Sequence, residues 1–130
     1  MKNLKKATSL IMAVITAACV SVSVAAQSKE YTKEYSNGYS ATATLNCTKS
    51  GAVATTSTDG PYTCTASVVI HYHKIGNTND LTYGSGNSAY RGVTASAGVT
   101  DPSAYVCTKA TSNHQVGGLG FDHPLEASAN

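Results

Sequence analysis

YTCTASVVIHYHK, residues 62–74, separates by parity into two different surfaces. Tyr62, Cys64, Ala66, Val68, Ile70 and Tyr72 form one series; Thr63, Thr65, Ser67, Val69, His71 and His73 form the other. Side chains on a strand point alternately to opposite faces, so the first series reads as buried and the second as wet. The Val, Ile, Tyr and Thr content suits a pleated, half-buried surface. A strand of this kind cannot cover its apolar face alone. The rest of the chain must pair its edges and lay a second layer over that face.

The flanking sequence supplies such partners. Tyr39, Ala41, Ala43, Leu45 and Cys47 alternate with Ser40, Thr42, Thr44, Asn46 and Thr48, a second strand of the same type. Ser50-Gly51 turns the chain into a shorter strand from Ala52 to about Thr58, and Asp59-Gly60-Pro61 is the next tight turn. After the loop Gly76–Asp80, a short strand from Leu81 to Tyr83, ended by Gly84, Gly86 and Asn87, is expected, then strands from Ala89 to Thr100 and from Ala104 to Val116, with Asp101-Pro102-Ser103 as a turn. Either face of the last of these could point inward. No stretch carries a capped helical run of apolar positions. The expected architecture is a small antiparallel β-sandwich, or small barrel, of about six strands. Its boundaries are a polar N-terminal arm over 27–38, able to pair at a sheet edge, a sandwich domain over 39–116 and a Gly-rich flexible tail over 117–130.

Before that arm, Lys2, Lys5 and Lys6 precede the apolar run Leu10–Ala18, and Val24-Ala25-Ala26 forms a small-residue cleavage pattern. This is the layout of a cleavable signal peptide over residues 1–26, with Gln27 starting the exported chain. The run is well short of the ~20 apolar residues that span a bilayer, so no membrane span is expected in the mature chain. Lipid attachment at Cys19 is the alternative processing; the Thr at 16 and the apolar residues after Cys19 argue against it. The expected location is therefore secreted and extracellular, and the short lysine-rich leader is of bacterial type. Asn46-Cys47-Thr48 is a glycosylation sequon that matters only in a eukaryotic secretory route.

Cleavage also changes the charge. The whole chain carries nine Lys and Arg against seven Asp and Glu. Losing Lys2, Lys5 and Lys6 leaves six against seven, a net −1. No basic stripe remains for a phosphate backbone, which excludes nucleic acid as the expected partner. Few large aliphatic residues remain either, so eight tyrosines must supply much of the apolar surface. The expected core is a thin one of Ala, Val and Tyr between outer faces of Thr and Ser.

Export exposes the remaining cysteines, Cys47, Cys64 and Cys107, to oxidising conditions. In an up-and-down meander Cys47 ends one strand and Cys107 begins another at the same end, so the expected disulfide is Cys47–Cys107. Cys64 falls at the opposite end on the inward face; three reduced, buried thiols are the alternative. His71 and His73 are two residues apart on the wet face, at a backbone spacing of roughly 6.5–7 Å that lets two imidazoles share one ion. With His114 or Asp80 as a third ligand they form a candidate zinc or copper site. His123, in the tail, is expected in solvent. No nucleophile elbow, HExxH, phosphate-cradling loop or informative carboxylate pair is present, so no catalytic residue, no enzyme activity and no resident cofactor are expected.

The leading expectation for function is a small secreted, non-enzymatic protein binding an envelope polymer, carbohydrate or protein through its surface. The alternatives are an exported bacteriocin-like antimicrobial protein and an extracellular metal binder using the His-x-His strand.

Overall fold

The computed structural model of the chain describes residues 27–129; the expected signal peptide, residues 1–26, lies outside the described residues. Among the described residues eight strands run β1 (Gln27–Glu34), β2 (Ser40–Thr48), β3 (Gly51–Thr58), β4 (Thr63–Lys74), β5 (Leu81–Tyr90), β6 (Gly92–Gly98), β7 (Tyr105–Val116) and β8 (Phe121–Ser128). They form two four-stranded antiparallel sheets, in the orders β1-β2-β3-β6 and β5-β4-β7-β8. The class is all-β, as the alternating pattern requires, with eight strands in place of the six expected.

The two additional strands lie where the sequence is least strand-like. The polar arm is β1, an edge strand in full register with β2 from Gln27↔Cys47 to Glu34↔Ser40. It is exposed along its whole length and carries Lys29, Glu30, Lys33 and Glu34, charges that guard a sheet edge against pairing with other chains. The expected flexible tail is corrected outright. A 3-10 turn over Gly117–Leu119 and a left-handed Gly120 (φ 71) reverse the chain, and β8 then pairs with β7 from Val116↔Phe121 to Lys109↔Ser128. Phe121, Ala127 and Ala129 are buried, so apolar burial and a full ladder hold this segment in the sandwich.

Between the sheets lies a core of small side chains. Ala41, Ala43, Ala52, Ala54, Ala66, Ala95, Ala97, Ala110 and Ala127 pack around Leu45, Val68, Ile70, Val116 and Phe121. On β4 the inward series is the expected one: Cys64, Ala66, Val68 and Ile70 are all at most 1% exposed. Burial of Leu45 or Ile70 stabilises by roughly 2 kcal/mol each. Alanine contributes far less, so the core depends on many close contacts more than on a few large groups.

The chain crosses between sheets at three places, after β3, β5 and β6. The second crossing is made by Arg91 alone, with φ 68; its N–H donates to Tyr62 O at 2.8 Å and its carbonyl accepts from Thr58 N at 2.9 Å. Opposite this corner the β1 and β8 edges are laced by Tyr31, whose ring stacks on His123 at 3.8 Å and 8° and lies 6.0 Å from Phe121. His123 is thus a packed residue and not a tail residue in solvent.

At one end, Tyr62 lies edge-on to Tyr39 (5.7 Å, 86°) with its ring against Gly60 and Gly118. A Cβ on Gly60 would stand 2.6 Å from the Tyr62 ring, and one on Gly118 would collide with it. Nearby, the Tyr35 hydroxyl is buried with no hydrogen-bond partner among the described residues. Two variants read these packing facts in urea unfolding. Gly118→Ala is expected to destabilise by about 1–3 kcal/mol through overpacking. Tyr35→Phe is expected to stabilise by about 1 kcal/mol by removing an unpaired buried hydroxyl.

Candidate functional site

Register assigns every residue of the β5-β4-β7-β8 sheet to a face. Opposite residues of an antiparallel pair share a face, so the outer rows are Tyr90–Thr63, Ser88–Thr65–Gln115–Asp122, Gly86–Ser67–Asn113–Pro124, Gly84–Val69–Thr111–Glu126 and Thr82–His71–Lys109–Ser128. Its two halves differ chemically. The β7/β8 half carries Asp122 and the Lys109–Glu126 ion pair (3.5 Å). The β4/β5 half is neutral but for His71, paired with Asp80, and His73 at its end. It presents the hydroxyls of Thr63, Thr65, Ser67, Thr82 and Ser88 around Gly86, which leaves the surface flat. Thr65 and Ser88 hydroxyls meet at 3.0 Å, tying neighbouring strands together by their side chains. Tyr90 closes the row at one end, 61% exposed, with the Arg91 guanidinium 5.4 Å from its ring centroid.

The three histidines named as metal candidates do not converge. His71 and His73 lie on the outer face as expected. His71 Nδ1 donates to Asp80 Oδ2 at 2.9 Å, and His73 Nδ1 donates to the Lys74 carbonyl at 2.9 Å. His114 belongs to the inner row, opposite Ala66, and is fully buried. It cannot be the third ligand of an ion on the outer face. Among the described residues no group of three or more His, Cys, Asp or Glu is arranged to hold a metal ion.

What sequence reasoning missed is the role of His114 inside. Thr56 on β3 donates its hydroxyl to the Thr65 carbonyl at 2.9 Å, so its oxygen accepts from His114 Nδ1 at 2.8 Å. Ser112 donates to Nε2 at 2.7 Å. The relay Ser112, His114, Thr56, Thr65 spans both sheets and leaves neither ring nitrogen unpaired. Burial pushes the His114 pKa down to about 4, against a smaller upward pull from the Thr55 main chain. A Ser and a His in contact suggest a nucleophile and its base, but both are buried, at 3% and 0% exposure, and no substrate can reach them. The pair is a structural bridge.

The three cysteines among the described residues are free, buried thiols, so the expected Cys47–Cys107 bond is not present as a covalent link. The two thiols nevertheless interact, while each donates to a main-chain carbonyl, Cys47 to Thr48 at 3.9 Å and Cys107 to Lys109 at 3.6 Å. The thiol–thiol interaction, then burial, holds Cys47 far above the usual thiol range, while the same interaction lowers Cys107. Cys64 has no thiol partner among the described residues, and burial raises it to about 11.

Comparison with family models, with curated proteins and with solved structures found no match to this chain. The class is therefore set by the fold: an all-β sandwich of two antiparallel sheets, with a flat hydroxyl-rich outer surface and a buried polar bridge.

The His114 bridge has a pH signature. Its pKa is lower folded than unfolded, so the unfolded chain binds the extra proton. Stability is complete above about pH 6.5 and falls as pH drops toward 4, with about 2 kcal/mol lost between roughly pH 7 and pH 5. Urea unfolding across that window should show this slope in the native chain and lose it in His114→Gln. A flat native profile would show that the ring accepts a proton without leaving the fold.

Proposed function

We propose that the protein is exported and acts outside the cell as a non-enzymatic binding module, taking an uncharged, hydroxyl-rich polymer on the outer face of β4 and β5. The observation that carries this reading is the composition and shape of that face. Thr63, Thr65, Ser67, Thr82 and Ser88 offer hydroxyls that both donate and accept. Gly86 lets a flat chain approach the backbone, the Val69 side chain lies over Gly84, and the exposed Val69 and Tyr90 offer apolar surface beside it. Neutral polysaccharide matches such a surface, because its rings present apolar C–H faces and polar edges. Charged polymers match it less well, since the hydroxyl rows between Tyr90 and His71 carry no charge; the nearest are the Arg91 guanidinium on Tyr90 and the Asp80 carboxylate paired with His71. Export rests on the leader at Lys2–Ala26 and its small-residue cleavage pattern.

Retention on insoluble neutral polysaccharides and on purified cell-envelope polymer tests the reading. A Cβ at Gly86 would make only ordinary contact, 3.5 Å from Ser67 Cβ, so Gly86→Glu keeps the fold while raising a charged side chain on the flat surface. Gly86→Glu and Tyr90→Ala are each expected to weaken binding roughly tenfold or more, with unchanged unfolding midpoints. Equal retention of both variants and the native chain, or retention on anionic polymer alone, would count against it.

A further inference from the structure

Cys47 and Cys107 are 60 residues apart in the chain and on different sheets, yet their thiols interact across the interface, both free and not at bonding distance. Each is at most 1% exposed, and both belong to the same core cluster. The backbones also meet here. The Cys107 N–H donates across the sandwich to the Lys49 carbonyl at 2.9 Å, two residues beyond Cys47. The register of β7 slips between His71 and Tyr72 of β4, leaving Thr108 as an extra residue. This bulge lets Cys107 and Ala110 both point inward. Cys64, on β4 opposite Val116, lies at the far end of that strand from Tyr72, the partner of Cys107.

We propose that Cys47 and Cys107 are a built dithiol that closes into an inter-sheet disulfide by exchange with an external disulfide, while Cys64 stays a free thiol. The Cys107 thiolate attacks one sulfur of the external disulfide, forming a mixed disulfide and releasing one thiol. Cys47 then loses its proton to solvent, attacks the Cys107 sulfur and releases the second thiol. Two protein thiols are oxidised, one external disulfide is reduced, and no other reactant is needed. Both sulfurs are shielded in the folded sandwich, so exchange belongs to the folding chain and the closed bond is protected afterwards. The bond joins β2 to β7 and closes a 60-residue loop between Cys47 and Cys107. This inference is independent of what the outer face binds.

The test refolds the reduced chain Gln27–Asn130 in a glutathione buffer poised oxidising, then alkylates remaining thiols in denaturant and maps the peptides. The expected product has lost two hydrogens, contains a Cys47–Cys107 cross-linked peptide and is alkylated at Cys64 only. Its Tm should exceed that of the reduced form by roughly 10 °C or more. Cys64→Ala should give the same cross-link, whereas Cys107→Ala should give no intramolecular one. Cross-links involving Cys64, or three alkylated cysteines after refolding in excess oxidised glutathione, would overturn the proposal. The mapping uses the native chain, so it is decisive even where a variant does not fold.

Discussion

The structure depends on burying one row of small side chains between two sheets. β4 is paired along both edges, with β5 and β7, and its inward Cys64, Ala66, Val68 and Ile70 form the floor on which the other sheet rests. Facing rows on β2, β3 and β6 are mostly alanine. An alanine core gains little transfer free energy per residue, so close approach of the backbones must supply the rest through dispersion contacts.

Such a core has little reserve, which makes its polar content important. His114 is among the largest wholly buried side chains, and it is tolerated because both ring nitrogens are paired within the relay from Ser112 to Thr65. An unpaired buried imidazole would cost more than its hydrogen bonds return. The relay also gives the sheets a directional contact, which alanine packing lacks, and so opposes sliding of one sheet over the other. The Cys47 and Cys107 thiols meet at another part of the same interface. The two polar contacts therefore constrain the sandwich at separate points.

β7 shows why part of this was hard to read. From Ala104 to Val116 neither parity is cleanly apolar: Cys107 belongs to one, while Ala110, Ser112, His114 and Val116 belong to the other. The structure reconciles them through the bulge at Thr108, whose hydroxyl donates to the His71 carbonyl at 3.1 Å. Before the bulge odd positions face inward, and after it even ones do. Placing His114 on a uniform strand left it free to join His71 as a ligand, whereas the shifted parity buries it. The sequence of β7 carries the signal only as a break in alternation, which is indistinguishable from a poor strand until the partner register is known.

Alternation alone determined that the chain is all-β, which face of β2 and β4 turns inward, and that Thr63, Thr65 and Ser67 of β4 lie on the outer face, because these follow from the two-residue period of a strand. Tertiary structure decided what has no local period. β1 and β8 are strands because neighbouring edges needed partners and because Phe121 and Ala127 had a core to enter. His114 is a bridge because Thr56, distant in sequence, stands opposite it. Cys47 and Cys107 are neighbours because the chain crosses between sheets three times, and contacts across those crossings depend on where each strand is finally paired.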